Sequence, residues 1–337
     1  MKSNSSIVKL SRVWLLTSLV MLPCGFTQAQ QQPAAKEAAS QPASQKKFDT
    51  PQLASQALIQ ASDPYDANAL AEILGPEGKE IVQSADAVQD KNRAEHFAAM
   101  AREKNSVAIN PKNALQATVI VGKGDWPFPI PLVKKSGKWF FDSKAGKQEI
   151  LYRRIGANEL DAIQVCRGFV EAQKEYASEI HDNSGVNQYA QKIISTPGKH
   201  DGLYWQNEDG SSGGPVGEAV ARAIDEGYSA KERSGFHGYY FKVLKGQGPA
   251  APLGQLDYVI EGAMIGGFAL VAVPAEYRVT GVNTFMVSYD GIVYEKDLGA
   301  DTLNIVKAMD RYNPDKSWHP TDDQWPEDAD DSVNAAD

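Results

Sequence analysis

Between Gly235 and Leu298 the chain is a succession of short β-branched and aromatic segments: GFHGYYFKVL, then LDYVI, then MIGGFALVAVPAEYRVTGVNTFMVSYDGIVYEKDL. Gly, Pro and Asp-Gly punctuate them at intervals that suit strands of ordinary length. This pattern constrains the fold more than any other, because it encodes an antiparallel meander and excludes a helical bundle. The stretch before it, Asn158 to Glu179, carries Leu160, Ile163, Phe169, Val170 and Tyr176 at helical spacing. A long helix and a meander can cover each other's apolar faces, so residues 158–312 are expected to form an α+β unit. A helix through Leu303, Val306 and Met309 closes it. Within the meander, Asp290-Gly291 lies between two β-rich runs and predicts a type I′ hairpin with positive φ at both residues. Gly266-Gly267 inside a strand predicts a bulge or a close backbone approach.

The chain has 337 residues, enough for a second domain, and residues 47–157 supply it. Thr50-Pro51 reads as an N-cap followed by the proline favoured at the first helical position. Leu53, Ala57 and Leu58 follow at helical spacing. A second helix runs through Leu70, Ile73 and Leu74 and stops at Gly75-Pro76, and a third carries Ala94, Phe97, Ala98 and Ala101. Strands are expected at Ala117–Val121, Phe128–Val133 and Trp139–Phe141, with a tight turn at Ser136-Gly137. Pro127, Pro129 and Pro131 place the second of these at an edge or in an extended loop, since proline cannot donate to a ladder. Residues 148–155 form a connecting helix that Gly156-Ala157-Asn158 breaks, Asn158 capping the next. Helices followed by a curled meander, with the strand GKWFFD, resemble the cone-shaped NTF2-like fold over about 100 residues.

Both ends read as something other than folded domain. Lys2, Lys9 and Arg12 precede an apolar run, Val13 to Leu22, that is too short to span a bilayer comfortably. Pro23 and Gly25 break that run, and Thr27-Gln28-Ala29 offers a small-residue cleavage site. Residues 1–29 are therefore expected to be a signal peptide cleaved after Ala29, which leaves no integral membrane segment in the mature chain and places it in the periplasm or outside the cell. Lipidation of Cys24 is the competing reading, and Pro23 before it fits that pattern badly. Residues 30–46, rich in Gln, Ala, Ser and Pro, read as a flexible linker. Residues 313–337 read as an acidic disordered tail, with seven acidic residues and no Lys or Arg beyond Thr321. The net charge of −9 argues against a nucleic-acid partner.

No catalytic, cofactor-binding or metal-binding set emerges from the motifs, and no cofactor is expected. Gly210 to Pro215 (GSSGGP) has the outline of a serine-protease nucleophile loop, but Ser211 stands where the aspartate belongs. A flexible loop explains it better, and Ser212 is not assigned a catalytic role. His181-Asp182 and His200-Asp201 lie in a long polar, glycine-rich stretch, His181 to Gly214, and lack the spacing of a metal site. Loops of that length are commonly functional. His237 reads as a structural or surface residue. Arg153-Arg154 could bind an anion, although a solvated or salt-bridging pair is the simpler reading. Cys166 lies on the apolar side of the long helix as a buried thiol.

Several segments together carry a resemblance: DGLYW at 201–205, the run from His237 to Gly254, the run from Gly266 to Gly299, WPFPIPLV at 126–133 and RRIGANELDAI at 153–163. They resemble bacterial exported proteins grouped as domain-of-unknown-function family 2950, which implies export from a Gram-negative cell and supplies no reaction. The C-terminal half is similar, more distantly, to the soluble head of type IV pilin-like subunits. That likeness rests on the helix with Ala172-Gln173 and Tyr176, then Gly238 to Phe241, Ala272-Val273-Pro274, Val279-Thr280-Gly281, Phe285 and Asp290-Gly291-Ile292. The helix here starts at polar Asn158 after another domain, so the resemblance does not imply assembly into a filament. The function these residues favour is a non-enzymatic periplasmic binding or assembly-accessory module, with an envelope protein or polymer as partner. The alternative is an envelope hydrolase with its site in the cleft between the domains.

Overall fold

The structure is a computed structural model that describes residues 45–182, 184–218, 220–222 and 235–322. The expected signal peptide, residues 30–44 of the linker and the acidic tail from residue 323 lie outside the described residues. The fold is α+β. Residues 45–322 hold two separate hydrophobic cores, and one helix runs through both halves.

The N-terminal half begins with α1 (Pro51–Ser62), whose N-cap Thr50 accepts from Leu53 N through its side chain. Then come α2 (Ala67–Leu74), α3 (Lys79–Val82) and α4 (Ala87–Glu103). Asp66 and Asp86 cap α2 and α4 by accepting two backbone N–H groups each, and Gly75 ends α2 at φ 75°. The sheet is antiparallel: β1 (Asn105–Asn110), β2 (Asn113–Val121), β3 (Trp126–Pro127), β4 (Leu132–Lys135) and β5 (Lys138–Phe141). Its order is β1-β2-β4-β5, with β3 paired to β2. The strand expected at Phe128–Val133 starts instead at Leu132, beyond the prolines. It lies inside the sheet, where every residue from Leu132 to Lys135 can donate. β1 was not anticipated; its residues are mostly exposed, so it lacks the apolar alternation that marks a strand. On β2, Ala117, Val119 and Val121 turn inward on every second position.

The helix α5 (Ser143–Tyr176) is continuous over 34 residues, about 50 Å at the usual rise. The expected break at Gly156-Ala157-Asn158 is absent. A glycine in a helix interior costs only about 1 kcal/mol relative to alanine, and contacts across the molecule outweigh that. Arg154 Nη2 donates to Val279 O at 3.1 Å and Asn158 Nδ2 to Thr280 O at 2.8 Å. Glu159 Oε1 accepts from Val282 N and Asn283 N at 2.8 and 3.0 Å. Asn158, which looked like a cap, is with Arg154 and Glu159 the grip of α5 on a distant loop.

The C-terminal half opens with β6 (Lys192–Ile194), β7 (Gly202–Gln206) and β8 (Ser212–Gly213). The pairing β6–β7 is parallel and β7–β8 antiparallel. Next come β9 (Tyr239–Leu244), β10 (Gly246–Gln247), β11 (Leu256–Asp257), β12 (Val259–Ile260) and β13 (Ala263–Met264). The last elements are β14 (Ala269–Pro274), β15 (Thr284–Ser288), β16 (Tyr294–Lys296), α6 (Thr302–Ala308) and β17 (His319–Pro320). The main sheet has the order β17-β16-β15-β14-β9. Every residue of β14 and β15 is buried, so both faces of the central strands are covered. Phe241, Ala272 and Phe285 are in register on one face, and α5 packs against these strands. On the other, Thr284 Oγ1 meets Thr302 Oγ1 of α6 at 2.8 Å. On that same side Lys242 Nζ donates to three carbonyls at the end of α6, those of Val306, Lys307 and Met309. The chain remains in the fold past Tyr312: Trp318 is buried and β17 pairs with β16.

The Asp290-Gly291 turn differs from expectation. Gly291 has φ 75°, whereas Asp290 does not have a positive φ, and Gly291 N donates to Ser288 O. Tyr289 and Asp290 are thus the central pair, with glycine at the last position as in a type I turn. Two-residue hairpins with positive φ at both centres occur at Ser136-Gly137, at 52° and 80°, between β4 and β5, and at Glu261-Gly262, at 50° and 88°, between β12 and β13. Gly266 makes the close approach expected of it, since a Cβ there would lie 2.5 Å from Asp257 O.

Candidate functional site

At the end of α5 the long polar stretch folds back on the helix, and a set of reciprocal bonds fixes it there. Gln173 is fully buried, and its side chain both donates to Ala190 O and accepts from Ala190 N, each at 2.8 Å. Tyr176 donates its hydroxyl to His200 O. His181 stacks on the Tyr176 ring at 4.0 Å between centroids, and its Nε2 lies 2.8 Å from Tyr176 O. Asp182 accepts from His200 N at 2.8 Å, with His200 Nδ1 at 3.7 Å from the other carboxylate oxygen. Trp205 of β7 sits edge-on to His181 and tilted against His200. The two His-Asp dipeptides, 19 residues apart in the chain, are therefore brought together around Tyr176 and Trp205.

Asp201 completes the arrangement. It accepts from Thr196 N at 2.6 Å, Thr196 Oγ1 at 2.7 Å and Lys192 Nζ at 3.0 Å. Burial alone would raise its pKa, but these donors prevail and hold it below the usual carboxylate value. Tyr176 moves the other way, pushed up to about 12 by burial first and by Asp182 and Asp201 next. At neutral pH the site thus offers an ionised carboxylate and a phenol that stays a donor. Beside it opens a polar concavity of about 590 Å³, whose walls include Tyr176, Asp182, Tyr189, Lys192, Lys199 and Asp201. Volumes of this order suit small-molecule ligands.

The other residues singled out from the sequence are scattered. Ser212 is exposed on β8, its hydroxyl 3.5 Å from Glu218 Oε2. The glycines after it have a packing reason: a Cβ on Gly213 would lie 2.3 Å from Trp205 Nε1, and one on Gly214, at φ 92°, 2.3 Å from Leu203 O. His237 pairs with Asp161 of α5 at 2.8 Å, away from the polar concavity. Arg153 stacks over Trp126 and donates to Pro127 O and Glu149. Arg154 instead borders an apolar cavity of about 840 Å³ in the N-terminal half. Cys166 is fully buried, which pushes its thiol up to about 12 and makes it a poor nucleophile. Among the described residues no group of three or more His, Cys, Asp or Glu side chains is placed to hold a metal ion. No helix among them is long and apolar enough to cross a membrane.

Sequence reasoning assigned Tyr176 to an apolar helix side and gave Gln173 and Trp205 no role. The available signal was a helix ending in Gln and Tyr just before an unusually long polar stretch. A family model described as "Protein of unknown function (DUF2950)" matches residues 45–321. No curated protein matches the chain, and no solved structure matches it.

Proposed function

The chain belongs to the DUF2950 family of proteins of unknown function, and on that premise we propose that it is an exported, non-enzymatic binding module that takes a polar ligand in the concavity at the end of α5. The observation that carries this reading is the use made of the converging polar groups. Asp182 and Asp201 bond to backbone N–H groups and Thr196, and Tyr176 bonds to a carbonyl. They hold a shaped surface, and among the described residues no serine, threonine or cysteine side chain is bonded to a histidine there to act as nucleophile. The walls offer Lys and Asp side chains together with tyrosines and amides. That chemistry suits a ligand bearing hydroxyls and both signs of charge, such as a sugar-peptide fragment of the cell wall.

Export rests on residues 1–29, with cleavage after Ala29 into the periplasm. The NTF2-like reading of residues 47–157 and the pilin-like reading of 158–312 are supported by the order of their elements, helices before a meander and a long helix before an antiparallel sheet. The hydrolase reading is favoured by one observation, the pairing of His200 with Asp182 beside a concave site. Calorimetric titration of the purified chain with soluble muropeptides, with mass spectrometry of the products, tests both. Saturable binding without turnover, weakened at least tenfold by Lys199→Ala with unchanged thermal stability, is expected. Cleavage of the muropeptide that disappears in His200→Ala would replace binding by hydrolysis, and no heat with any fragment would sink the polar-ligand reading.

A further inference from the structure

A second cavity, unrelated to the polar one, lies in the N-terminal half between α1, α2, α3, α4 and the first turns of α5, and has a volume of about 840 Å³. Its walls come from five helices and the loop before β4, among them Leu58, Leu70, Phe97, Phe128 and Leu151. Phe97 and Phe128 pack ring against ring at 5.0 Å, and Phe128 meets Phe141 edge-on, so this wall is built and rigid. An opening of this size with apolar walls, inside a domain that has its own core, matches the dimensions of ligand sites.

The charges around the cavity are unequal. Lys147 is paired with Glu80 at 2.7 Å. Asp90 is buried and accepts from Ser84 N and Oγ at 2.6 and 2.9 Å, and Arg93 lies 3.8 Å from it. Arg154 has no carboxylate within ion-pairing distance among the described residues; its one hydrogen bond goes to the neutral carbonyl of Val279. The net charge left at the mouth is therefore a guanidinium, a planar fork that matches a carboxylate. Ile150 and Leu151 border the opening one helical turn or less before it.

We propose that this cavity binds a single-chain alkyl carboxylate, its chain among Leu58, Leu70, Phe97 and Phe128 and its head group on Arg154. Apolar walls select the chain and the unpaired cation selects the charge. The proposal goes beyond the polar-ligand reading and stands or falls separately, because no residue of the polar concavity takes part.

The test is calorimetric titration of the purified chain with decanoate, dodecanoate, tetradecanoate and tetradecanol. One-to-one binding of the carboxylates is expected, with affinity rising about fourfold for each methylene buried. A negative heat-capacity change should accompany it. Arg154→Gln should weaken tetradecanoate about tenfold, the loss of one charged hydrogen bond, and leave tetradecanol unchanged. Ala94→Trp should fill the cavity and abolish both. Should that variant unfold, Ile150→Glu at the half-exposed mouth serves instead and should repel the carboxylate while sparing the alcohol. Absence of binding, affinity independent of chain length, or an Arg154→Gln effect equal for acid and alcohol would overturn the proposal.

Discussion

The two halves of the molecule use the same spine and close their cores differently. In the C-terminal half, β14 and β15 are buried on both faces, between α5 and α6. Long-range polar bonds add to that packing: Gln173 to Ala190, Glu159 to Val282 and Asn283, Lys242 to the end of α6. In the N-terminal half the sheet is only partly covered, β1 is mostly exposed, and the helices stand far enough apart to leave the apolar cavity. Interiors are normally packed like organic crystals, so a persistent opening means that the surrounding helices are held apart by their own framework. Here α5 is fixed to the N-terminal half by Ser143 Oγ bonded to Leu74 O, by Gly146 packed on Ile130 and by Arg153 donating to Pro127 O.

Core truncations should show the contrast most strongly. Phe285→Ala removes a fully buried ring from the sheet centre and is expected to destabilise by about 3–5 kcal/mol. Leu58→Ala, on the wall of an existing cavity, should sit at the low end of the large-to-small range, about 2 kcal/mol. Urea unfolding measures both, and an equal or larger loss for Leu58→Ala would mean that the N-terminal cavity is closed in solution. The same experiment asks whether the halves are separate domains. Two independent cores would unfold in two transitions, with each substitution moving one of them.

Polar stitching in the C-terminal half should be visible in the pH dependence of stability. The folded pKa of Asp201 is depressed. Its contribution is therefore present above the ordinary unfolded value near 4 and is lost as pH falls through the lower folded value. Asp201→Asn is expected to cost about 1–2 kcal/mol at pH 7. Its stability should then change less than that of the wild type between about pH 5 and pH 2. Parallel curves for the two proteins would show that Thr196 and Lys192 do not favour the ionised form.

A smaller effect tests the shared spine. Gly156 lies inside α5 with open space where a Cβ would go. Gly156→Ala should therefore stabilise the protein by about 0.5–1 kcal/mol, read as a higher urea midpoint. A loss of stability would mean that the helix is interrupted at that position, as the sequence alone suggests. The smallest effect is expected at Ser212: Ser212→Ala, at an exposed site, should stay within about 0.5 kcal/mol of wild type. It should also leave muropeptide binding unchanged, and a loss of function with normal stability would bring the serine back into contention.

Much of this was legible in the residues themselves. The caps at Thr50 and the stop at Gly75, the apolar side of α5 from Ile163 to Tyr176, the strands of the C-terminal sheet and the burial of Cys166 all depend on neighbours within a turn or a strand pair. Local periodicity and capping chemistry report such features directly. The Asp290-Gly291 turn was legible only as a turn. Its type depends on how far apart β15 and β16 are held, and their pairing ends at Met286 and Tyr294.

What the sequence by itself determined is the α+β class, the placement of most helices and the likeness to a family of proteins of unknown function. Only the tertiary structure decided that α5 runs unbroken through Gly156, that two His-Asp dipeptides meet around Tyr176 and Trp205, and that helices far apart in the chain enclose a cavity with one unpaired arginine at its mouth. The physical reason is the range of the interactions. A helix cap is satisfied by an N–H group three residues away, whereas Arg154, Asn158 and Glu159 find their partners more than 120 residues along the chain, and no local pattern records a partner at that distance.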